Sequence, residues 1–176
     1  VLVQDDGSSD RTIEIVKDFQ KKDKRIRLLI NKANLGLVEN WNASIEEAKG
    51  SWIKLHFQDD LMETDALEKM LLFGNDNGLE VVLTDSEFIF EEGTDRSFFD
   101  GLVRLTDYYS SNTILRPSDV ANIYKKEGIK KNFVGEPILG LIKKTVFRTY
   151  GNYDKALKQI PDFEFWLRIL LNIKTG

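Results

Sequence analysis

A chain of 176 residues, 41% hydrophobic and 31% charged, is long enough for one domain with a real core, at roughly 100–200 residues per domain. Its net charge of −4, with Lys and Arg dispersed along the chain, excludes a nucleic-acid partner gripped mainly through phosphates, which demands a basic stripe. The absence of cysteine and the single histidine, His56, exclude disulfides, zinc–thiolate centres, thiol nucleophiles and His-rich metal sites.

Residues 1–3 (Val1, Leu2, Val3) read as a short buried strand running into Asp5-Asp6-Gly7-Ser8-Ser9-Asp10, a turn rich in bend-forming and helix-capping residues. Ile13, Val16 and Phe19 then recur at helical spacing. Residues 26–30 form a second strand-like run. After residues 31–36 comes a helix presenting Trp41, Ile45 and Ala48 on one face, with Gly50 at the expected end position. Residues 51–57 read as a third strand ending at Gln58-Asp59-Asp60, residues 64–73 as a helix and residues 81–84 as a strand. Strand alternating with helix through short links signals a mainly parallel sheet in an α/β fold.

The second part is less regular. Residues 91–100 read as an acidic loop, 118–127 as a helix after Pro117, 139–142 as a strand, 145–150 as a short helix and 162–173 as a longer one. The change near residue 90 suggests a single domain with a nucleotide-binding half, 1–90, followed by an acceptor-binding half, 91–176. The opening on apolar residues without Met, and the stop at Gly176 after a helical pattern, read as a piece of a longer protein. No stretch approaches the ~18 apolar residues of a membrane span, and a cysteine-free chain fits a reducing cytoplasm.

In open α/β sheets, ligands bind beyond the carboxyl ends of the strands. Asp5-Asp6 follows the first strand and Asp59-Asp60 the third. Adjacent carboxylates repel unless a cation or hydrogen-bond donors compensate them. A hard divalent ion bridging to a diphosphate is one compensation; capping of the next helix, or solvation in a turn, is the other.

Read together, the blocks resemble family 2 glycosyltransferases, which have the GT-A fold. The carriers are residues 3–12 (Val-Gln-Asp-Asp-Gly-Ser-Ser-Asp-Arg-Thr), Asn34-Leu35-Gly36, Trp41-Asn42, residues 48–53, Gln58-Asp59-Asp60, Gly135-Glu136-Pro137 and residues 161–168. The resemblance lies in their order and spacing. It implies a nucleotide-sugar donor, a UDP-sugar above all, and a glycan or lipid-linked sugar acceptor in surface polysaccharide synthesis. It also implies a cytoplasmic site at the inner face of the membrane, with peripheral membrane association through segments outside this sequence.

By the same resemblance, Asp5 bonds the nucleobase with Asp6 assisting, and Asn34 joins the donor pocket. Asp59 holds Mn2+ or Mg2+ with Asp60 beside it. Asp162 is the base of an inverting displacement, and Glu136 touches the acceptor. Two positions depart from the pattern: Phe57 stands where the first acid of the Asp-x-Asp motif belongs, and Pro161 replaces the Glu before the base.

Blander readings stay open beside these: Asp5 as a turn former, Asp162 as a helix N-cap, Trp166 as core, and His56 as a packed side chain. Arg11 and Lys32 are surface charges that could reach phosphate. Phe88, Phe90, Phe98, Phe99, Tyr108 and Tyr109 are stacking candidates or loop packing. A haloacid-dehalogenase-type phosphatase is disfavoured because Gln4 stands where it needs a further Asp. A receiver domain leaves the Trp-containing blocks unexplained. A catalytically impaired nucleotide-sugar or carbohydrate-binding module of the same fold remains the alternative.

Overall fold

The computed structural model describes residues 1–97, 102–129 and 131–176; Phe98, Phe99 and the end of the acidic loop lie outside them. Strand β1 (Leu2–Asp5) continues through helix α1 (Thr12–Lys22) to β2 (Arg27–Ile30), which pairs parallel to β1 with Leu2 opposite Arg27 and Asp5 opposite Ile30. Helix α1 buries none of its residues, and Phe19 is 54% exposed, so its apolar repeat lies only lightly against the strands.

Helix α2 (Leu37–Glu47) turns Val38, Trp41 and Ile45 inward. It ends before the position that Gly50 suggested, because Ala48 already takes an extended conformation. Lys144 from the far end of the sequence supplies the physical reason: its Nζ donates to the carbonyls of Glu46 and Ala48 at 2.8 and 2.6 Å. A cation thus satisfies carbonyls that the helix leaves open, at the negative end of its dipole.

Strand β3 (Trp52–Lys54), helix α3 (Ala66–Asp76) and strand β4 (Val81–Leu83) complete the first half. In the second half come helix α4 (Pro117–Glu127), strand β5 (Gly140–Lys143), helix α5 (Lys144–Tyr150) and helix α6 (Pro161–Leu170). Strand β5 enters between β3 and β4 and runs antiparallel to both, setting Ile142 opposite Ile53 on one side and Val81 on the other. Strands β3 and β4 therefore run the same way, as expected of an α/β fold, but the strand joining them comes from the distant half. All three exchanged residues are buried, as befits strands covered on both faces.

One hydrophobic cluster takes Val38, Trp41, Ile53 and Val81 from the first half and Phe133, Phe147, Tyr153, Phe165 and Trp166 from the second. Helix α6 is its centre, with Phe165, Trp166, Ile169 and Leu170 fully buried. Trp166 lies against β5 at Gly140, where any β-carbon would collide with the indole. The same core positions the site, because α2, β3 and α6 each carry a functional segment at their ends.

Candidate active site

At the end of β1 the chain must turn sharply, and Asp5 makes the turn. Its buried carboxylate accepts from the amides of Gly7 and Ser8, both at 3.1 Å through Oδ2; Gly7 takes the positive φ of 93° that other residues avoid. Among the described residues Oδ1 of Asp5 accepts no hydrogen bond, so one oxygen shapes the turn and the other stays open to a ligand.

Asp6 is spent differently. Its Oδ1 accepts from Asn31 Nδ2 at 2.8 Å and the Leu35 amide at 2.7 Å, and its Oδ2 from the Gly36 amide at 2.9 Å. Asn34 Nδ2 donates to the Asp6 carbonyl at 2.8 Å, and its Oδ1 accepts from Gly36. Loss of solvent pushes the Asp6 carboxyl up, but the bonds from Leu35, Asn31 and Gly36 together outweigh it and hold it below the usual range. Asp6 and Asn34 thus pin the loop 31–36 against the β1 turn and start α2 at Gly36.

After β3 the chain turns at residues 57–60, where the Asp60 amide donates to the Phe57 carbonyl at 3.4 Å. The phenyl of Phe57 stacks on Trp41 at 5.2 Å between centroids, and Tyr153 meets Trp41 edge-on at 5.4 Å. An apolar ring at position 57 therefore anchors this turn to α2. Asn42, next to Trp41, adds a reciprocal pair with the Tyr153 backbone, donating at 2.8 Å and accepting at 3.1 Å. Asp59 projects into solvent, whereas Oδ2 of Asp60 is buried without a hydrogen-bond partner. Lys54 on β3 lies close enough for Asp60 to stabilise its charge, yet burial dominates and lowers it to about 8.

The third segment comes from residues 132–136 and the first turn of α6. Ile160 is the N-cap and Pro161 the first helical residue, a place where a missing N–H costs nothing. Asp162 is therefore inside the helix rather than its cap. Burial pushes its carboxyl above the ordinary value, partly offset by the amides of Phe163 and Asp162 and by Asn132. Asn132 Nδ2 donates to Asp162 Oδ2 at 2.8 Å, a contact for which the sequence carried no signal. For Glu136, loss of solvent and then the charges of Asp60, Asp162 and Asp59 raise its carboxyl. Asp59, Asp60 and Asp162 thus lie near enough for their charges to act on Glu136, and the four carboxylates form one acidic group. Asp5, Asp6 and Asn34 form a separate group, joined to it through α2.

The remaining candidates fall outside these two groups. Trp166 is core, its Nε1 donating to the Gly135 carbonyl at 2.9 Å. Arg168 pairs with Glu164 at 2.7 Å and donates to the carbonyls of Tyr150, Gly151 and Asn152. Arg11 pairs with Glu14 in solvent, and Lys32 and His56 are exposed. Phe88 and Phe90 lie under the guanidinium groups of Arg104 and Arg96. Tyr108 and Tyr109 pack on the main core.

A divalent ion fits the residues at the β3 turn in part. Asp59 and Asp60 offer hard oxygens, one of them orphaned, but among the described residues no three acidic or imidazole side chains converge on a metal position.

In this α/β domain Asp5-Asp6 and Asp59-Asp60 follow the ends of β1 and β3, where such folds bind ligands. The family model "Glycosyl transferase family 2" matches residues 1–133, and the chain belongs to that family. An uncharacterized glycosyltransferase of Methanocaldococcus jannaschii is 27% identical over 176 residues, covering 98% of this chain and 54% of its own. The putative teichuronic acid biosynthesis glycosyltransferase TuaG of Bacillus subtilis is 29% identical over 94 residues, covering 53% of this chain and 37% of its own. Among solved structures, S. aureus TarS 1–349 in complex with UDP superposes with a TM-score of 0.72 at 17% identity, over 100% of this chain and 48% of that one. The TarS complex with UDP-GlcNAc also gives 0.72, at 18% identity, over 100% of this chain and 46% of that one. These likenesses show the GT-A fold, and the chain spans about half the length of such relatives.

Proposed function

We propose that this chain is the catalytic domain of an inverting glycosyltransferase, which moves a sugar from a UDP-sugar to a hydroxyl of a glycan or lipid-linked acceptor. The observation that carries this reading is Asp162: half-buried, raised above its ordinary value by burial and held by Asn132 at 2.8 Å. A base that remains partly protonated at higher pH than a free carboxylate is better matched to taking a hydroxyl proton. UDP bound to TarS, and the teichuronic acid pathway named for TuaG, support the donor and the acceptor class.

In the proposed reaction Asp162 takes the proton of the acceptor hydroxyl as its oxygen bonds to the anomeric carbon. The bond from that carbon to the diphosphate breaks on the opposite face, and UDP leaves with the electron pair. The open oxygen of Asp5 accepts a ring N–H of the base, while Asp6 and Asn34 keep the pocket wall in shape. Asp59 and Asp60 would hold Mn2+ or Mg2+, which when bound offsets the charge of the diphosphate. The donor side thus draws on residues 1–90 and the acceptor side on 91–176, at the inner face of the membrane in the cytoplasm.

Asp162→Asn tests this directly. UDP-GlcNAc affinity, measured by calorimetry with Mn2+, should change less than about threefold, while transfer to an acceptor or to water falls by at least about 100-fold. Retained turnover removes Asp162 from the base role. Phe57, partly buried against the core where an acid is expected, favours a second reading as a nucleotide-sugar-binding module. Tight UDP binding with no donor turnover in the wild-type chain is its signature.

A further inference from the structure

The amide of Asn132 is held in one orientation by the backbone around it. Gly135 N–H donates to Asn132 Oδ1 at 3.0 Å, and an N–H can only face the oxygen end of an amide. Nδ2 must therefore face the other way, where its two hydrogens go to the Gly135 carbonyl at 3.2 Å and Asp162 Oδ2 at 2.8 Å. The Gly135 carbonyl is fixed in turn by Trp166 Nε1 at 2.9 Å, and Trp166 is fully buried one turn along α6 from Asp162. A flipped amide would lose the Gly135 bond and set oxygen against carboxylate.

We infer that Asn132 is a positioning residue for Asp162: it holds Oδ2 and leaves Oδ1, which has no side-chain partner among the described residues, to meet the acceptor hydroxyl. This rests on the reading of Asp162 as the base. A carboxylate free to rotate about its terminal torsion would present either oxygen, or neither, along the line of attack. Anchoring one oxygen removes that freedom before the acceptor arrives, and supporting hydrogen bonds of this kind keep reacting groups in productive geometry. The other titratable groups facing Asp162 are Glu136, just before the short 3-10 turn Pro137–Leu139, and Tyr153, from the loop after α5. Neither supplies a hydrogen bond to its carboxylate in the described structure, so Asn132 is its side-chain anchor.

The test uses carbon-13 NMR of the side-chain carboxyls, with the Asp162 signal assigned by its loss in Asp162→Asn. Asn132→Ala removes the donor and should raise the Asp162 midpoint by about one pH unit, the worth of a hydrogen bond to a charged group. Asn132→Asp keeps an oxygen for Gly135 N–H but sets a carboxylate against Asp162, and should raise it further; it also serves where the alanine variant fails to fold. With UDP-GlcNAc and Mn2+, kcat for donor hydrolysis should fall roughly 10- to 100-fold while KM stays within about twofold, and the acidic limb of the kcat profile should move up in step with the midpoint. An unmoved midpoint, or an unchanged kcat with a moved midpoint, overturns the role of Asn132. Hydrolysis that survives Asp162→Asn overturns the base itself, an outcome distinct from either.

Discussion

Phe57 occupies the place of an acid, and the structure gives it other work. Its ring stacks on Trp41, which in turn meets Tyr153, so the turn bearing Asp59 and Asp60 is anchored by aromatic contact. Phe57→Asp should therefore lose this anchor without completing a metal site. Stability measured by urea denaturation should fall by about 2–4 kcal/mol, somewhat below the cost of truncating a fully buried aromatic because Phe57 is only partly buried; a loss under about 0.5 kcal/mol would contradict the packing role. Asp162 carries the opposite trade. Its folded-state carboxyl is raised, chiefly by burial, so between the ordinary value of 3.8 and the raised one the folded state binds more protons than the unfolded. Stability falls as pH rises through that window and stays lowered above it. Asp162→Asn should consequently melt higher than wild type at pH 7, with the difference shrinking at pH values below the carboxylate range. A lower melting temperature at pH 7 would show that the charge is compensated. Residues whose geometry serves activity often cost stability in this way.

Among the elements, β5 and α6 are mutually dependent. Gly140 leaves room for the Trp166 indole on the face of the strand, while Trp166 Nε1 reaches back to the Gly135 carbonyl. Gly140→Ala should force the strand and helix apart and cost about 1–3 kcal/mol, as overpacking does in closed cores, readable in the urea midpoint. Because α6 also carries Asp162, the same variant should lower kcat more than it raises KM for UDP-GlcNAc. The end of α2 is held by two distant side chains, Lys144 bound to the Glu46 and Ala48 carbonyls and Arg27 donating to the Glu47 carbonyl at 3.0 Å. Lys144→Met should cost about 1 kcal/mol and should fray the last turn, detectable as faster hydrogen exchange at Glu47 and Ala48. Unchanged exchange there would mean that water replaces the lysine without loss.

For the molecule as a whole, the shared cluster predicts one cooperative unfolding event. Val38, Trp41, Ile53 and Val81 pack with Phe133, Phe147, Phe165 and Trp166 across the boundary near residue 90. Neither half keeps a closed core without the other. Urea unfolding followed by tryptophan fluorescence and by far-ultraviolet circular dichroism should give coincident transitions. Separated transitions would mean that the halves fold independently.

Much of this was legible in the amino-acid sequence because it depends on neighbours in the chain. Alternation of apolar runs and helical repeats follows from backbone hydrogen bonding and side-chain direction, so the α/β class and the positions of most elements could be read locally. The ordered blocks around Asp5, Asp59 and Asp162 pointed to the family for the same reason. What the sequence could not determine is what meets across it. The insertion of β5 between β3 and β4, the Lys144 contact that ends α2, the stack of Phe57 on Trp41, and the Asn132 amide on Asp162 each join segments far apart in the chain. Such contacts arise only when the core closes, because packing and desolvation, not local propensity, select them. The sequence named the residues proposed to bear the chemistry; which of their oxygens stay without a hydrogen bond was decided by the tertiary structure alone.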